Sequence, residues 1–426
     1  MDIGKKAREA DSVREELRKL ESDLELEKTL RANIELKLSE ASANSLVLEG
    51  ANRAIRAKVD FLESDNQAQS QAFADLHKRM QAAIDDAAEA NAKLRAEETL
   101  RRKLHNQVQE LKGNIRVFAR VRPILGTGDE EPATITLPDH DEDSKEIAVK
   151  GLEKKTALGK AIATNHSFSF DRVFDPASTN SGIFEEISQL VQSALDGYNV
   201  CIFCYGQTGS GKTHTMSAPD GMIPRAVRQI YETAKSLEAK GWTYKMEGSF
   251  IEVYNEELND LLGNAEDLDK KKHEIHHDTV NCKTTVTGAQ KVELDSAERV
   301  HEILRRADGN RKVAATMANQ RSSRSHSVFV LTLAGENSIT GEKSEGTLNL
   351  VDLAGSERLS HSKVEGKQLK ETQNINKSLS CLGDVIGSLG RTNEKGEPTH
   401  VPYRNSKASL LSSLGNGIER ANPDDS

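Results

Sequence analysis

Gly206, Gln207, Thr208, Gly209, Ser210, Gly211, Lys212 and Thr213 follow one another in the chain, and this run restricts the fold more than any other feature. It fits the pattern G-x-x-x-x-G-K-[ST]. The eight residues before it, Tyr-Asn-Val-Cys-Ile-Phe-Cys-Tyr at 198–205, are apolar and β-prone, which predicts a buried strand. A strand, a glycine loop and a lysine at a helix start together make a P-loop. The glycines let backbone N–H groups turn inward around phosphate oxygens, where a Cβ would obstruct them. Lys212 supplies a point charge to the β- and γ-phosphates, and Thr213 a hydroxyl to Mg²⁺. The helix N-terminus adds its partial positive charge.

With 426 residues the chain has room for two or more units. Its net charge of −9 argues against nucleic acid as a partner, while leaving a local basic patch free to meet an acidic protein surface. Cys201, Cys204, Cys282 and Cys381 are not spaced as a disulfide framework. Two of them fall in the predicted buried strand, so a reducing compartment is expected. A redox role for Cys201 and Cys204, within a strand that runs into a P-loop, is not expected. No stretch approaches the apolar length of a membrane span, so no membrane partner is expected. The opening Met-Asp-Ile-Gly-Lys-Lys does not read as a signal peptide.

The first proline is Pro123, and the stretch before it is rich in Ala, Glu, Leu, Lys and Arg. Stepping from Val13 to Leu111 by four and three alternately gives one unbroken heptad phase, and roughly 21 of its 29 seam positions are apolar. A 3.5-residue period of that length predicts a left-handed coiled coil over residues 1–111. Such a helix would not stay unpaired, so a homodimer or heterodimer is expected, with a rod on the order of 150 Å. Asn52 and Asn66 on the seam would set register at some cost in stability. Gly113 and Asn114 read as the helix stop.

Beyond this point, apolar runs of strand length alternate with helical patterns. That predicts an α/β domain over residues 112–414, a central and mostly parallel sheet flanked by helices. Residues 126–160 read as polar surface excursions, 183–195 and 224–237 as helices, 244–254 as a strand and 297–307 as a helix. His273, His276, His277 and Cys282 match no standard zinc spacing, and their alternation with Ile275 reads as a strand with polar faces.

Two further stretches share P-loop logic. Thr-Leu-Asn-Leu-Val-Asp at 347–352 is a strand ending in Asp352, a carboxylate placed to hold Mg²⁺, often through water. Gly355 shortly after it can bring a backbone N–H to a γ-phosphate. Asn-Gln-Arg-Ser-Ser-Arg-Ser-His at 319–326 gathers hydroxyls, an amide and guanidinium groups. Such a segment can coordinate Mg²⁺ and phosphate and relax on hydrolysis.

These three stretches resemble the nucleotide motifs of the kinesin motor domain. The Arg-Val-Arg-Pro run at 120–123, the Gln-Asn-Ile-Asn-Lys-Ser-Leu run at 373–379 and the His-Val-Pro-Tyr-Arg-Asn-Ser-Lys run at 400–407 are similar to that family's adenine-site segment, relay helix and following loop. A coiled coil N-terminal to the motor resembles the kinesin-14 subfamily, whose motors move toward microtubule minus ends. The resemblance implies a microtubule-stimulated ATPase working with ATP and Mg²⁺ in the cytoplasm, on the cytoskeleton and spindle. It implies Arg120, Arg122, Pro123 and His214 around the adenine, and Asn319, Ser322 and Ser323 at the γ-phosphate and metal. Arg324 would pair with Glu357 when ATP is bound, Gly355 would sense the γ-phosphate, and Glu357 would relay a proton from the attacking water. Tubulin is acidic, so Lys367, Lys370, Lys377, Arg404 and Lys407 are the implied filament contacts.

Residues 415–426 depart from the family pattern, which runs on into a last core strand and a closing helix. The expectation is a shortened motor with an open slot in its sheet. That keeps a second reading in play, a microtubule-binding or dimerisation partner without turnover.

Overall fold

The computed structural model describes residues 3–61, 66–124, 133–139, 142–151, 154–155, 161–162, 165–278, 283–317, 321–357, 367–391 and 400–412. The chain divides into two compact units, Met1–Asn114 and Ile115–Ser426.

The first unit holds two helices, α1 (Ile3–Phe61) and α2 (Asn66–Leu111), where a single rod was expected. They run antiparallel. The Asn52 amide lies 3.0 Å from the Met80 sulfur, Arg31 pairs with Glu98, and Lys112 Nζ lies 3.5 Å from Glu21 Oε1. The seam itself is where the heptads put it. Leu24, Leu94 and Val108 are buried, Leu20, Ile34, Leu48, Leu76 and Met80 half-buried, and the positions between them mostly exposed. The heptad period therefore fixes which face is apolar but not which helix covers it. Both halves of this chain carry the same seam, and each buries it against the other. Glu98 sits within this interface, 6% exposed, beside Arg31, Arg101 and Arg102.

The second unit begins with β1 (Phe118–Arg120), β2 (Ile135–Thr136), β3 (Glu146–Lys150), β4 (Lys154–Lys155), β5 (Ala161–Ile162), β6 (Asn165–Ser169) and β7 (Arg172–Phe174). Among these, β2, β3 and β6 form a small antiparallel sheet, β4 pairs β5, and β1 pairs β7 in parallel. Next come α3 (Asn180–Leu195), capped by the Thr179 hydroxyl, then β8 (Asn199–Cys204), α4 (Lys212–Ser217) and α5 (Met222–Glu238). The chain continues through β9 (Trp242–Tyr254), β10 (Glu257–Asp260), β11 (Ile275–Asp278), β12 (Lys283–Val286), β13 (Val292–Glu293) and α6 (Ala297–Met317). It closes with β14 (Ser325–Asn337), β15 (Lys343–Asp352), α7 (Lys367–Leu389) and α8 (Lys407–Ser412).

The main sheet runs β10-β9-β14-β15-β8, with β13 also on β9. Its sense corrects the expectation of a mostly parallel sheet. Only β8 and β15 pair in parallel within it, and the other pairs are antiparallel. The connections explain this: β9 turns into β10, and β14 into β15, through loops too short for the crossover that a parallel pair needs. Strand alternation sends Phe250, Phe329, Leu348 and Leu350 to one face, against Ile187, Val191, Ile230 and Ile303 of α3, α5 and α6. Val328, Val330 and Val351 face the other way, toward Leu382 of α7 and Leu411 of α8. The result is a three-layer α/β arrangement. The parallel register sets Cys204 opposite Asp352, so the P-loop and the strand-end aspartate leave the sheet side by side. Among the described residues no strand pairs with the second edge of β8. Residues 413–426, which include the stretch 415–426 expected to depart from the family pattern, lie outside the described residues.

Candidate active site

The glycine loop links β8 to α4 as its sequence predicts. Gly209 and Gly211 sit at φ +77° and +102°, a left-handed region that other residues rarely adopt. Lys212 Nζ donates to the carbonyls of Gly206 and Gln207, each at 2.9 Å, which holds the ammonium over the loop. The Thr213 hydroxyl donates to Asp352 Oδ2 at 2.6 Å. Arg311 of α6 approaches the same oxygen at 3.6 Å, while Asp352 Oδ1 is buried without a partner among the described residues. A hydroxyl, a carboxylate and one vacant buried lone-pair site suit a hard cation that keeps several of its waters. The donor set therefore fits Mg²⁺, with Thr213 and Asp352 as its protein side.

Two segments close over this point. The Gly355 N–H donates to the Ser323 carbonyl at 2.8 Å, and the Ser356 N–H to the Gly206 carbonyl at 3.1 Å. A Cβ at Gly355 would stand 2.4 Å from both a Glu357 carboxylate oxygen and the Thr208 hydroxyl. Glu357 accepts from the Thr208 N–H at 2.8 Å and from its hydroxyl. Burial acts to raise the Glu357 pKa. The Thr208 hydroxyl and N–H, its own backbone N–H and the Lys212 charge outweigh that and hold the carboxyl below its ordinary value. The expected Arg324–Glu357 pair is not formed. Arg324 instead reaches Glu371 of α7 at 2.8 Å, because each member of the expected pair already has another partner. Asn319 lies outside the described residues, as do the side chains of Ser322 and Lys367.

The adenine-side expectations divide. Arg120 is spent inside the fold, donating to Asn180 Oδ1 and Thr215 Oγ1 at 2.7 Å each and to the Ser178 carbonyl at 3.2 Å. It braces α4 from behind, with its terminal nitrogens committed to these bonds and the residue half-buried. Arg122 reaches the Gly209 carbonyl, and Pro123 and His214 are exposed. Among the filament-side residues, Lys370, Lys377 and Arg404 are exposed and Lys407 is half-buried. His273 and His277 lie at or near the β11–β12 hairpin and contact Thr287 and Thr284, and Cys282 lies outside the described residues. Burial pushes the Cys201 and Cys204 thiols up to about 12.

Sequence reasoning missed several residues. His326 Nδ1 accepts the Ala354 N–H at 3.1 Å, and its Nε2 lies 2.8 Å from Ser378 Oγ on α7, so it ties the segment after Asp352 to that helix. Tyr254 donates to Glu371 Oε1 at 2.9 Å. Asn180 joins Arg120, the His214 carbonyl and Asp220. Only His326 carried a signal, as the last residue of a stretch already singled out. The others are ordinary residues of strands and helices whose partners are distant in sequence.

A family model described as the kinesin motor domain matches residues 120–417. Kinesin-like protein klpA of Emericella nidulans is 66% identical over 359 residues, which cover 84% of this chain and 46% of that protein. Kinesin-like protein KAR3 of Saccharomyces cerevisiae is 49% identical over 330 residues, covering 76% and 44%. Among solved structures, the C-terminal motor and motor homology domain of Kar3Vik1, fused to a synthetic heterodimeric coiled coil, matches with a TM-score of 0.73 at 44% identity, over 86% of this chain and 91% of that one. The motor domain of KAR3 matches with a TM-score of 0.62 at 46% identity, over 72% and 90%. The chain spans about half the length of the curated relatives it matches.

Proposed function

This chain belongs to the kinesin motor domain family, and on that premise we propose that it hydrolyses ATP and uses the energy to move on microtubules. One observation carries the reading. Arg324, in the segment beside the nucleotide site, is held by Glu371 on α7, and α7 also displays the exposed Lys370 and Lys377. A change at the phosphate is thereby tied mechanically to a basic helix suited to an acidic filament.

In this reading the backbone of residues 206–211 and Lys212 cradle the phosphates, and Arg122 with Pro123 and His214 border the base. Mg²⁺, held by Thr213, Ser323 and Asp352, would offset charge on the phosphate oxygens. Ser322 and Asn319 would reach the γ-phosphate, and the Gly355 N–H would exchange the Ser323 carbonyl for a phosphate oxygen. Glu357, ionised at neutral pH, would leave Thr208, pair with Arg324 and take a proton from the attacking water. Catalysis is then positioning and electrostatics. Relatives named as KIN-14 kinesins support placing the chain in that subfamily, and with it we propose minus-end-directed, spindle-associated work, with Lys370, Lys377, Arg404, Lys407 and Lys367 as filament contacts. Pairing with a second copy or a different chain, as through the synthetic heterodimeric coiled coil of the Kar3Vik1 structure, would require α1 and α2 to part and turn their seams to another chain.

The test is ATP turnover of the purified chain with and without microtubules, and again for Gly355→Ala. The added methyl collides with Glu357 and Thr208, so stimulation should disappear. Stimulation that survives the substitution rejects the switch role. A second reading, filament binding without turnover, rests on the outer edge of β8, which no strand pairs with among the described residues. Microtubule cosedimentation with no ATP hydrolysis would favour it.

A further inference from the structure

Arg321 is 1% exposed, and the scheme above does not use it. Its Nη2 donates to Glu252 Oε2 at 2.7 Å, and its two terminal nitrogens grip the Asp269 carboxylate at 2.5 and 2.9 Å. Asp269 is fixed in turn by Asn259, whose amide donates to Asp269 Oδ1 at 3.0 Å and whose oxygen accepts the Asp269 N–H at 2.9 Å. The Arg321 guanidinium carbon lies 4.3 Å over the ring of Tyr254. The hydroxyl of that tyrosine donates to Glu371, the residue that holds Arg324. Two arginines three positions apart thus meet at one tyrosine, Arg321 on its ring and Arg324 through the carboxylate on its hydroxyl.

A buried ion cluster is a poor stabiliser, because desolvation offsets most of the attraction. Among the described residues this one also leaves Glu252 Oε1 and Arg321 Nε without partners. What a bidentate arginine does supply is a single geometry. We propose that Arg321 and Tyr254 are positioning residues that hold the 321–324 segment against α7, and so set how readily Arg324 leaves Glu371 for Glu357. The inference rests on the motor reading given above and deepens it: this clasp keeps turnover slow until a filament engages.

The experiment uses the full chain and Tyr254→Phe, which keeps the ring beneath Arg321 and removes only the hydroxyl. A hydrogen bond to a charged group is worth roughly tenfold in an equilibrium. Turnover without filaments should therefore rise by up to about tenfold, while the microtubule-stimulated rate changes little and Tm stays put. Asp269→Asn, on a side chain 50% exposed, should shift the ratio the same way by loosening Arg321. If microtubules stimulate the parent chain but the ratio of stimulated to unstimulated rates is unchanged in both variants, the clasp is overturned alone. If both rates fall together with Tm, the residues are merely structural and the clasp is likewise overturned. A parent chain that microtubules fail to stimulate would overturn the motor reading, and the clasp with it.

Discussion

Arg324 Nη1 lies 2.8 Å from Glu371 Oε2, while Glu357 is bound to Thr208. The two groups expected to meet across the nucleotide are each engaged elsewhere, so closing the site in the proposed scheme would take two exchanges. Arg324 must leave a helix, and Glu357 must leave the P-loop. If both occur together, neither Arg324 nor Glu357 is left without a partner, which favours a concerted change, while Glu371 keeps only the Tyr254 hydroxyl as its donor.

Glu357 is kept ionised where it stands, because the Thr208 donors and Lys212 outweigh its burial. Glu357→Gln should cut stimulated turnover on the order of 10³-fold and leave nucleotide affinity nearly unchanged, since the phosphates are held by the loop. Steady-state ATPase rates and fluorescent-nucleotide titration check the two halves. A variant that turns over at the parent rate would remove Glu357 from the chemistry.

Lys212 is the charge over the loop, satisfied by the Gly206 and Gln207 carbonyls. Lys212→Ala should weaken Mg·ATP binding at least tenfold, the scale of a lost charge-assisted contact. Equal affinity in the two proteins, measured by calorimetry, contradicts the P-loop assignment.

His326 predicts an acid-sensitive fold. Burial, with the Arg311 charge adding to it, lowers its pKa to about 4, against about 6.5 in an unfolded chain. Below about 6.5 the unfolded state takes up a proton that the native state refuses. The contribution is therefore complete above that pH and is lost as pH falls toward about 4, by roughly 2 kcal/mol at pH 5. In His326→Gln the decline of Tm between pH 7.5 and pH 5 should be shallower than in the parent chain. Parallel slopes would show that the imidazole is not shielded.

The antiparallel stalk predicts a specific cross-link. Asn52 and Met80 touch within one chain, so the double variant Asn52→Cys, Met80→Cys should oxidise to a product that migrates as a single chain. A parallel dimer would give a two-chain product through position 52 instead, and denaturing electrophoresis distinguishes them.

Much of this was legible in the sequence. The P-loop, the Asp352 strand and the heptad face all rest on short-range patterns, and each is found where its pattern places it. What failed depends on pairings that the pattern does not encode. A seam says nothing about its partner helix, so the rod became a hairpin. Apolar runs do not reveal strand sense, and the short turns after β9 and β14 made the sheet largely antiparallel. Nothing local shows that Arg120, which the resemblance placed beside the adenine, is bonded to Asn180 and Thr215. Glu371 and Tyr254 are more than a hundred residues apart, and no local spacing joins them.

The corner between β9 and β10 has a mechanical consequence. Asn255 and Glu256 both sit at positive φ, +52° and +61°, in a conformation that favours glycine. Asn255 is bonded to Asn374 on α7, and Glu256 accepts the first N–H of α8, that of Lys407, at 2.9 Å. Both outer helices are therefore moored to one strained bend that has little freedom to follow them. In the proposed motor, any shift of α7 would have to swing about this pivot or break its bond to Asn255, so the stiffness of two residues would limit the stroke.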